Sequence, residues 1–176
     1  MSEDNFWNKK KVFITGHTGF KGGWLSIWLS SMGAKVKGYS LTPVTRPNLF
    51  TEANVESILE SEINDITNYD ILRKSLTDFG PDVIFHLAAQ PLVRLSYKIP
   101  IETYKTNILG TANILDICRN ISSVKSVIIV TSDKCYENRE DGRAYKENDP
   151  MGGFDPYSSS KGCAEIITSA FRSSYF

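Results

Sequence analysis

Cysteine is scarce: the three in this 176-residue chain, Cys118, Cys135 and Cys163, are odd in number, far apart and form no CxxC pair. A disulfide framework or thiolate metal site would call for closely spaced pairs, so three free thiols in a reducing compartment are expected. A charge excess is missing too. Twenty basic residues balance twenty acidic ones, which excludes a broad positive field for nucleic acid or an anionic membrane. Any anion the chain binds must be gripped locally. The longest uncharged apolar-leaning run near the start, Gly22 to Ala34, is broken by Gly, Ser and Met and falls short of the ~20 residues a membrane helix needs. The opening MSEDNFWNKKK is acidic before it is basic and has no apolar stretch of the kind a secretory signal carries. A cytoplasmic protein without a membrane span is the expectation.

What is present is ordinary for a globular chain, 41% hydrophobic and 23% charged, enough to bury one sizeable core. Short β-branched runs alternate with segments of helical period, the pattern of a parallel sheet covered by helices. Strands are predicted over Lys11–Thr15, Lys35–Ser40, 60–65, Asp82–Ala89 and 125–132, with helices over Gly22–Met32, Tyr69–Phe79 capped by Asn68, 101–120 and 157–176. The stretch from Leu41 to about Val55, with its prolines and weak periodicity, reads as loop. Trp24 and Trp28, spaced i, i+4, read as core. The last helix runs to Phe176 without a stop signal, which leads us to expect the front part of a longer protein.

Directly after the first strand comes TGHTGFKGGW, with Gly16, Gly19 and Gly22 spaced GxxGxxG. A strand feeding a glycine turn into a helix lets backbone approach a pyrophosphate and aims free N–H groups at it; the plain alternative is a glycine-rich turn that binds nothing. A dinucleotide site normally offers an acid at the end of the second strand for the ribose. Here the chain offers Ser40, while Arg46 in the following loop is suited to a 2′-phosphate, so this fingerprint leaves NAD and NADP both open. Asp65 reads equally as an acceptor for an adenine amino group and as a helix-start Asp. Lys21 reads as a phosphate contact or a solvated side chain, and Arg94 as a substrate-phosphate contact or a helix cap.

YSSSK places Tyr157 and Lys161 one helical turn apart on one face. A free phenol titrates near ~10, and an ammonium one turn away favours the phenolate. Such a pair can accept a hydroxyl proton. TSDKCYEN ends an apolar strand on Ser132, Asp133 and Lys134, an acid beside an amine; its plain reading is a surface ion pair. His86 reads as a core histidine, and Asn107, mid-helix where Asn has poor propensity, as a residue with a hydrogen-bonding task.

In order and spacing, Gly16, Gly19 and Gly22, HLAA from His86 to Ala89, Asn107 in TNILGT, Ser132, and Tyr157 with Lys161 resemble the extended short-chain dehydrogenase/reductase superfamily. GHTGFKG, AAQPLVRLSY, SDKCYEN and MGGFDPYSSSKG are similar to its nucleotide-sugar 4,6-dehydratases, and to the CDP-glucose branch in particular. The resemblance implies a Rossmann-like doubly wound α/β sheet with helices on both faces and strand order 3-2-1-4-5, spanning residues 1–176 as a dinucleotide-binding domain. By the same resemblance, the small domain that grips the nucleotide sugar is expected to lie outside this chain. It further implies NAD held by Gly16, Thr18, Gly19, Phe20, Lys21, Gly22, Ser40, Asp65, Ile66, Leu87, Ala88, Ala89, Asn107, Tyr157 and Lys161. Ser132, Asp133, Lys134, Tyr157 and Lys161 would be catalytic: Ser132 on the sugar's 4-hydroxyl, Asp133 as acid and Lys134 as base, the latter standing where a Glu is usual. A homodimer through the helix from Ile101 and the last helix is implied. Rival readings are a related epimerase or GDP-mannose type dehydratase, and a non-catalytic dinucleotide-binding module. The chain alone is expected to bind dinucleotide weakly and to turn over poorly or not at all.

Overall fold

Five short runs of β-branched and aromatic residues become the strands of one parallel sheet. In the computed structural model, which describes residues 6–176, these are β1 (Lys11–Thr15), β2 (Lys35–Ser40), β3 (Glu60–Ile63), β4 (Val83–His86) and β5 (Ser126–Ile129), in the order β3-β2-β1-β4-β5. The first five residues, part of the opening segment read above as lacking a secretory signal, lie outside the described residues. β1 pairs in parallel with both β2, Lys11 opposite Lys35, and β4, Thr15 opposite His86. The chain order reverses between β1 and β4, and the crevice beyond their carboxyl ends is where open α/β sheets take ligands.

The alternation along β1 serves both faces. Phe13 joins Tyr39, Ile84, Leu72, Leu76, Ile114 and Ile117 under α3 (Tyr69–Phe79) and a later helix, α6 (Gly110–Cys118). Val12 and Ile14 join Leu29 and Val36 under α1 (Phe20–Ser31) on the other face. Asn68 caps α3 as predicted, its side chain accepting from the N–H of Ile71.

Several expectations are corrected. The stretch read as loop contains α2 (Leu49–Glu52), capped by Asn48, and a 3-10 turn at Val55–Ile58. A short α4 (Val93–Ser96) was not foreseen. The long helix is three pieces in one rod: α5 (Pro100–Tyr104), a π-turn (Lys105–Leu109) and α6. β3, β4 and β5 are each shorter than predicted. β5, read as buried, is half-buried because it forms an edge of the described sheet. Trp24 and Trp28 are 53% and 64% exposed, not core. The reason is the narrow face of α1: Gly22, Gly23, Ser26 and Leu29 turn inward, and the indoles fall on the opposite stripe. α7 (Pro156–Tyr175) closes the described chain; Asp155 caps it, accepting from the Ser158 N–H.

Candidate dinucleotide and sugar site

The glycine turn is required by its own backbone. Gly16 has φ +78°, and a Cβ there would lie 2.8 Å from the Ala88 nitrogen; one on Gly22 would lie 2.1 Å from the Gly16 oxygen. β1, the turn and the start of α1 therefore close on one another only without side chains. Gly19, the N-cap of α1, supplies no side-chain cap, so the first-turn N–H groups of Phe20, Lys21 and Gly22 are left for a ligand. Phe20 is 72% exposed beside them. The turn fits a pyrophosphate.

A buried chain of hydrogen bonds underlies this turn. Thr15 Oγ1 lies 2.8 Å from His86 Nδ1 and accepts from the N–H groups of Leu87 and Ala88 at 3.1 and 3.0 Å. His86 Nε2 lies 3.1 Å from Thr111 Oγ1, which donates to the Asn107 carbonyl at 2.7 Å. Thr111 has one hydroxyl proton, and a carbonyl can only accept. Nε2 is therefore the protonated nitrogen of His86 and Nδ1 accepts from Thr15. Burial, reinforced by the Lys161 charge, lowers the His86 pKa to about 3, so the ring is neutral. The core-histidine reading holds, and this ring joins the glycine turn to Asn107.

Asn107 sits in the π-turn, a place where an extra residue re-aims side chains. Its Oδ1 accepts from the Gln90 N–H at 2.8 Å, and its Nδ2 donates to Ser160 Oγ at 2.8 Å and to the Gln90 carbonyl at 3.2 Å. The loop that follows β4 is thereby tied to the start of α7.

The first two turns of α7 carry Tyr157 and Lys161, 9% and 7% exposed. The Tyr157 N–H is held by Ser96 Oγ of α4 at 3.2 Å. Lys161 Nζ donates to the Val130 carbonyl at 3.2 Å, just past β5. Burial lowers the Lys161 pKa to about 8, with nearby Lys21 adding to the effect and Glu165 opposing it. Thr131 donates to Glu165 of α7, and Ser132 caps the 3-10 turn Asp133–Cys135, accepting from the Lys134 N–H at 3.2 Å and donating to Asp133 Oδ1 at 3.1 Å. Lys134 Nζ and Asp133 Oδ2 are 3.8 Å apart, with side chains 51% and 72% exposed. The described residues bury neither, which departs from the partial burial that proton transfer by such a pair would want.

At the far edge, Thr18 Oγ1 donates to the Leu41 carbonyl at 2.8 Å and lies 2.9 Å from Ser40 Oγ. Asp65 Oδ1 accepts from the Thr67 N–H and hydroxyl, both at 2.8 Å, the helix-start use of that residue. Ile66 is buried in the core and its carbonyl accepts from Asn113 at 3.2 Å. Leu87, Ala88 and Ala89 are half-buried beside the glycine turn, while Arg94 and Arg46 are exposed. Thr15, Thr111, Gln90, Ser96, Ser160 and Glu165 position the site and were missed. The one local sign was that Thr15 ends a strand directly before a glycine turn.

A parallel sheet with this switch point, a glycine turn opening α1, and a buried Tyr–Lys pair on the helix that packs against the turn following β5 define an extended short-chain dehydrogenase/reductase. The chain belongs to the family described as GDP-mannose 4,6 dehydratase, whose model matches residues 13–176. It is 56% identical to a CDP-glucose 4,6-dehydratase of Salmonella typhimurium over 176 residues, covering 100% of this chain and 49% of that protein. It is 31% identical to a GDP-mannose 4,6-dehydratase of Sordaria araneosa over 94% of this chain and 30% of that one. Among solved structures, a Thermus thermophilus UDP-glucose 4-epimerase in complex with NAD superposes with TM-score 0.81 at 26% identity, covering 94% of this chain and 51% of that one. The chain thus spans about half or less of the length of these relatives.

Proposed function

We propose that this chain is the NAD-binding and proton-transferring part of a nucleotide-sugar 4,6-dehydratase that converts CDP-glucose to its 4-keto-6-deoxy product. One observation carries the reading: Tyr157 and Lys161 are both buried on α7, the helix that packs against the 3-10 turn Asp133–Cys135, with Lys161 anchored on the Val130 carbonyl just ahead of Ser132. The similarity to the Salmonella CDP-glucose enzyme supports the substrate, and the NAD complex of the Thermus epimerase supports the cofactor.

NAD, when bound, takes a hydride from carbon 4 of the sugar and returns it to carbon 6. Tyr157, with the Lys161 ammonium behind it, takes the 4-hydroxyl proton, and Ser132 hydrogen-bonds the same hydroxyl. The resulting 4-ketone acidifies the hydrogen on carbon 5. Lys134 removes that proton while Asp133 protonates the departing 6-hydroxyl, which leaves as water; a proton then returns to carbon 5. The net change is loss of one water, and an acid at the 6-hydroxyl is more than a simple epimerase requires.

The enzyme acts in the cytoplasm and as a homodimer. Exposed Ile101 and Leu109 along the α5–α6 rod and Ile166 on α7 supply apolar surface for that pairing. The test is a chimera in which this chain replaces the matching part of the Salmonella relative, offered CDP-, dTDP- and GDP-hexoses with NAD or NADP. A 4-keto-6-deoxy product from CDP-glucose is expected. Its formation only from another nucleotide sugar overturns the substrate assignment.

A further inference from the structure

We infer that Thr18 fixes the polarity of the Ser40 hydroxyl and so makes the end of β2 a reader of a ribose 2′-hydroxyl, selecting NAD over NADP. The inference rests on the cofactor reading above and goes beyond it, because the sequence at this position offered no acid and left both nucleotides open. The Thr18 hydroxyl has a single proton. It donates that proton to the Leu41 carbonyl at 2.8 Å, and that carbonyl can only accept. Ser40 Oγ, 2.9 Å from Thr18 Oγ1, is therefore the donor of their shared bond.

Ser40 is left with lone pairs and no proton for a ligand. A ribose 2′-hydroxyl is a donor and meets an acceptor there. A 2′-phosphate brings only acceptor oxygens and negative charge, and meets lone pairs. Thr18 itself is 7% exposed, so the arrangement is buried on one side, whereas Ser40 remains partly accessible. Ser40 also stays fixed in the sheet, since its carbonyl accepts from the Asn64 N–H at 2.9 Å. A hydroxyl locked as acceptor thus performs part of what a carboxylate does at this place in other dinucleotide sites. The opposing candidate is Arg46, the one charged residue between Leu41 and Thr51. It is exposed, in the turn where Asn48 donates to the Thr45 carbonyl.

Calorimetric titration of the chimera with the Salmonella relative, taken as wild type, with NAD and with NADP tests the inference, with circular dichroism to confirm folding of each variant. The wild type should bind NAD at least about tenfold tighter than NADP. Thr18→Val frees the Ser40 proton and should bring that ratio down to about twofold, chiefly by gaining NADP, while Thr18→Ser should keep the wild-type ratio. Ser40→Ala should weaken NAD about three- to tenfold and leave NADP unchanged; it decides the matter if Thr18→Val does not fold. A folded Thr18→Val with an undiminished ratio, or Ser40→Ala with unchanged NAD affinity, overturns the inference. So does a wild type that prefers NADP and loses it on Arg46→Ala. Binding of neither nucleotide to the wild type instead overturns the cofactor reading itself.

Discussion

Asn107 of the π-turn donates to Ser160 of α7 at 2.8 Å, and with its other two polar contacts clamps Gln90 in the loop that follows β4. One buried amide thereby sets the distance between that loop and the helix that carries Tyr157 and Lys161.

Asn107→Ala leaves the Gln90 N–H, the Gln90 carbonyl and the Ser160 hydroxyl without their partner. Ser160 keeps its bond to the Tyr157 carbonyl, so the expected loss in urea unfolding is at least about 1–3 kcal/mol, the cost of a single buried group stranded in this way. Asn107→Asp removes only the donor half and should lose less in hydrogen bonding, while adding a buried carboxyl that makes the loss grow with rising pH. A pair of unfolding curves at low and neutral pH checks both statements.

Lys161 gives a stability signature on the alkaline side. Burial lowers its pKa from 10.5 to about 8, so between those values the unfolded chain holds a proton that the folded chain has released. Stability then rises with pH through this window, because the unfolded state binds more protons. Lys161→Met should remove that rise. Urea denaturation from neutral pH upward, wild type against variant, measures the difference.

On the acid side the buried histidines act in the same sense. The His86 pKa falls from 6.5 to about 3 and that of His17 to about 4, in each case mainly by burial. As pH falls below 6.5 the unfolded chain gains protons that the folded rings refuse, and stability drops toward those lower values. His86→Gln should flatten part of that decline. Nitrogen NMR of the wild type should show His86 protonated on Nε2 alone at neutral pH; an Nδ1 proton would contradict the hydrogen-bond chain from Thr15 to Asn107.

The ends of β1 and β2 and the Asn68 cap were legible because they rest on local pattern, apolar β-branched runs and a capping side chain, whereas the order of the strands came from the family resemblance. Trp24 and Trp28 were misplaced because spacing tells which residues share a stripe and not which stripe turns inward; that was decided by the glycines and Ser26, which let α1 approach the sheet. Thr111 and Gln90 carry their signal only in three dimensions, since His86 and Thr103 lie on other elements, and Thr15 showed a local sign only in ending a strand before the glycine turn. The π-turn hid inside a helical period, betrayed only by the poor propensity of Asn107. The exposure of Asp133 and Lys134 depends on what packs beyond the end of β5, which neighbouring residues do not encode.

The division of labour between Tyr157 and Asp133 is tested most directly by Asp133→Asn in the chimera with the Salmonella relative, given CDP-glucose and NAD in a single turnover. The account predicts that oxidation at carbon 4 proceeds, so that reduced-cofactor absorbance rises and persists beside a keto sugar that still carries its 6-hydroxyl, while Tyr157→Phe shows no such rise. Full dehydration by Asp133→Asn at the unaltered rate would contradict it.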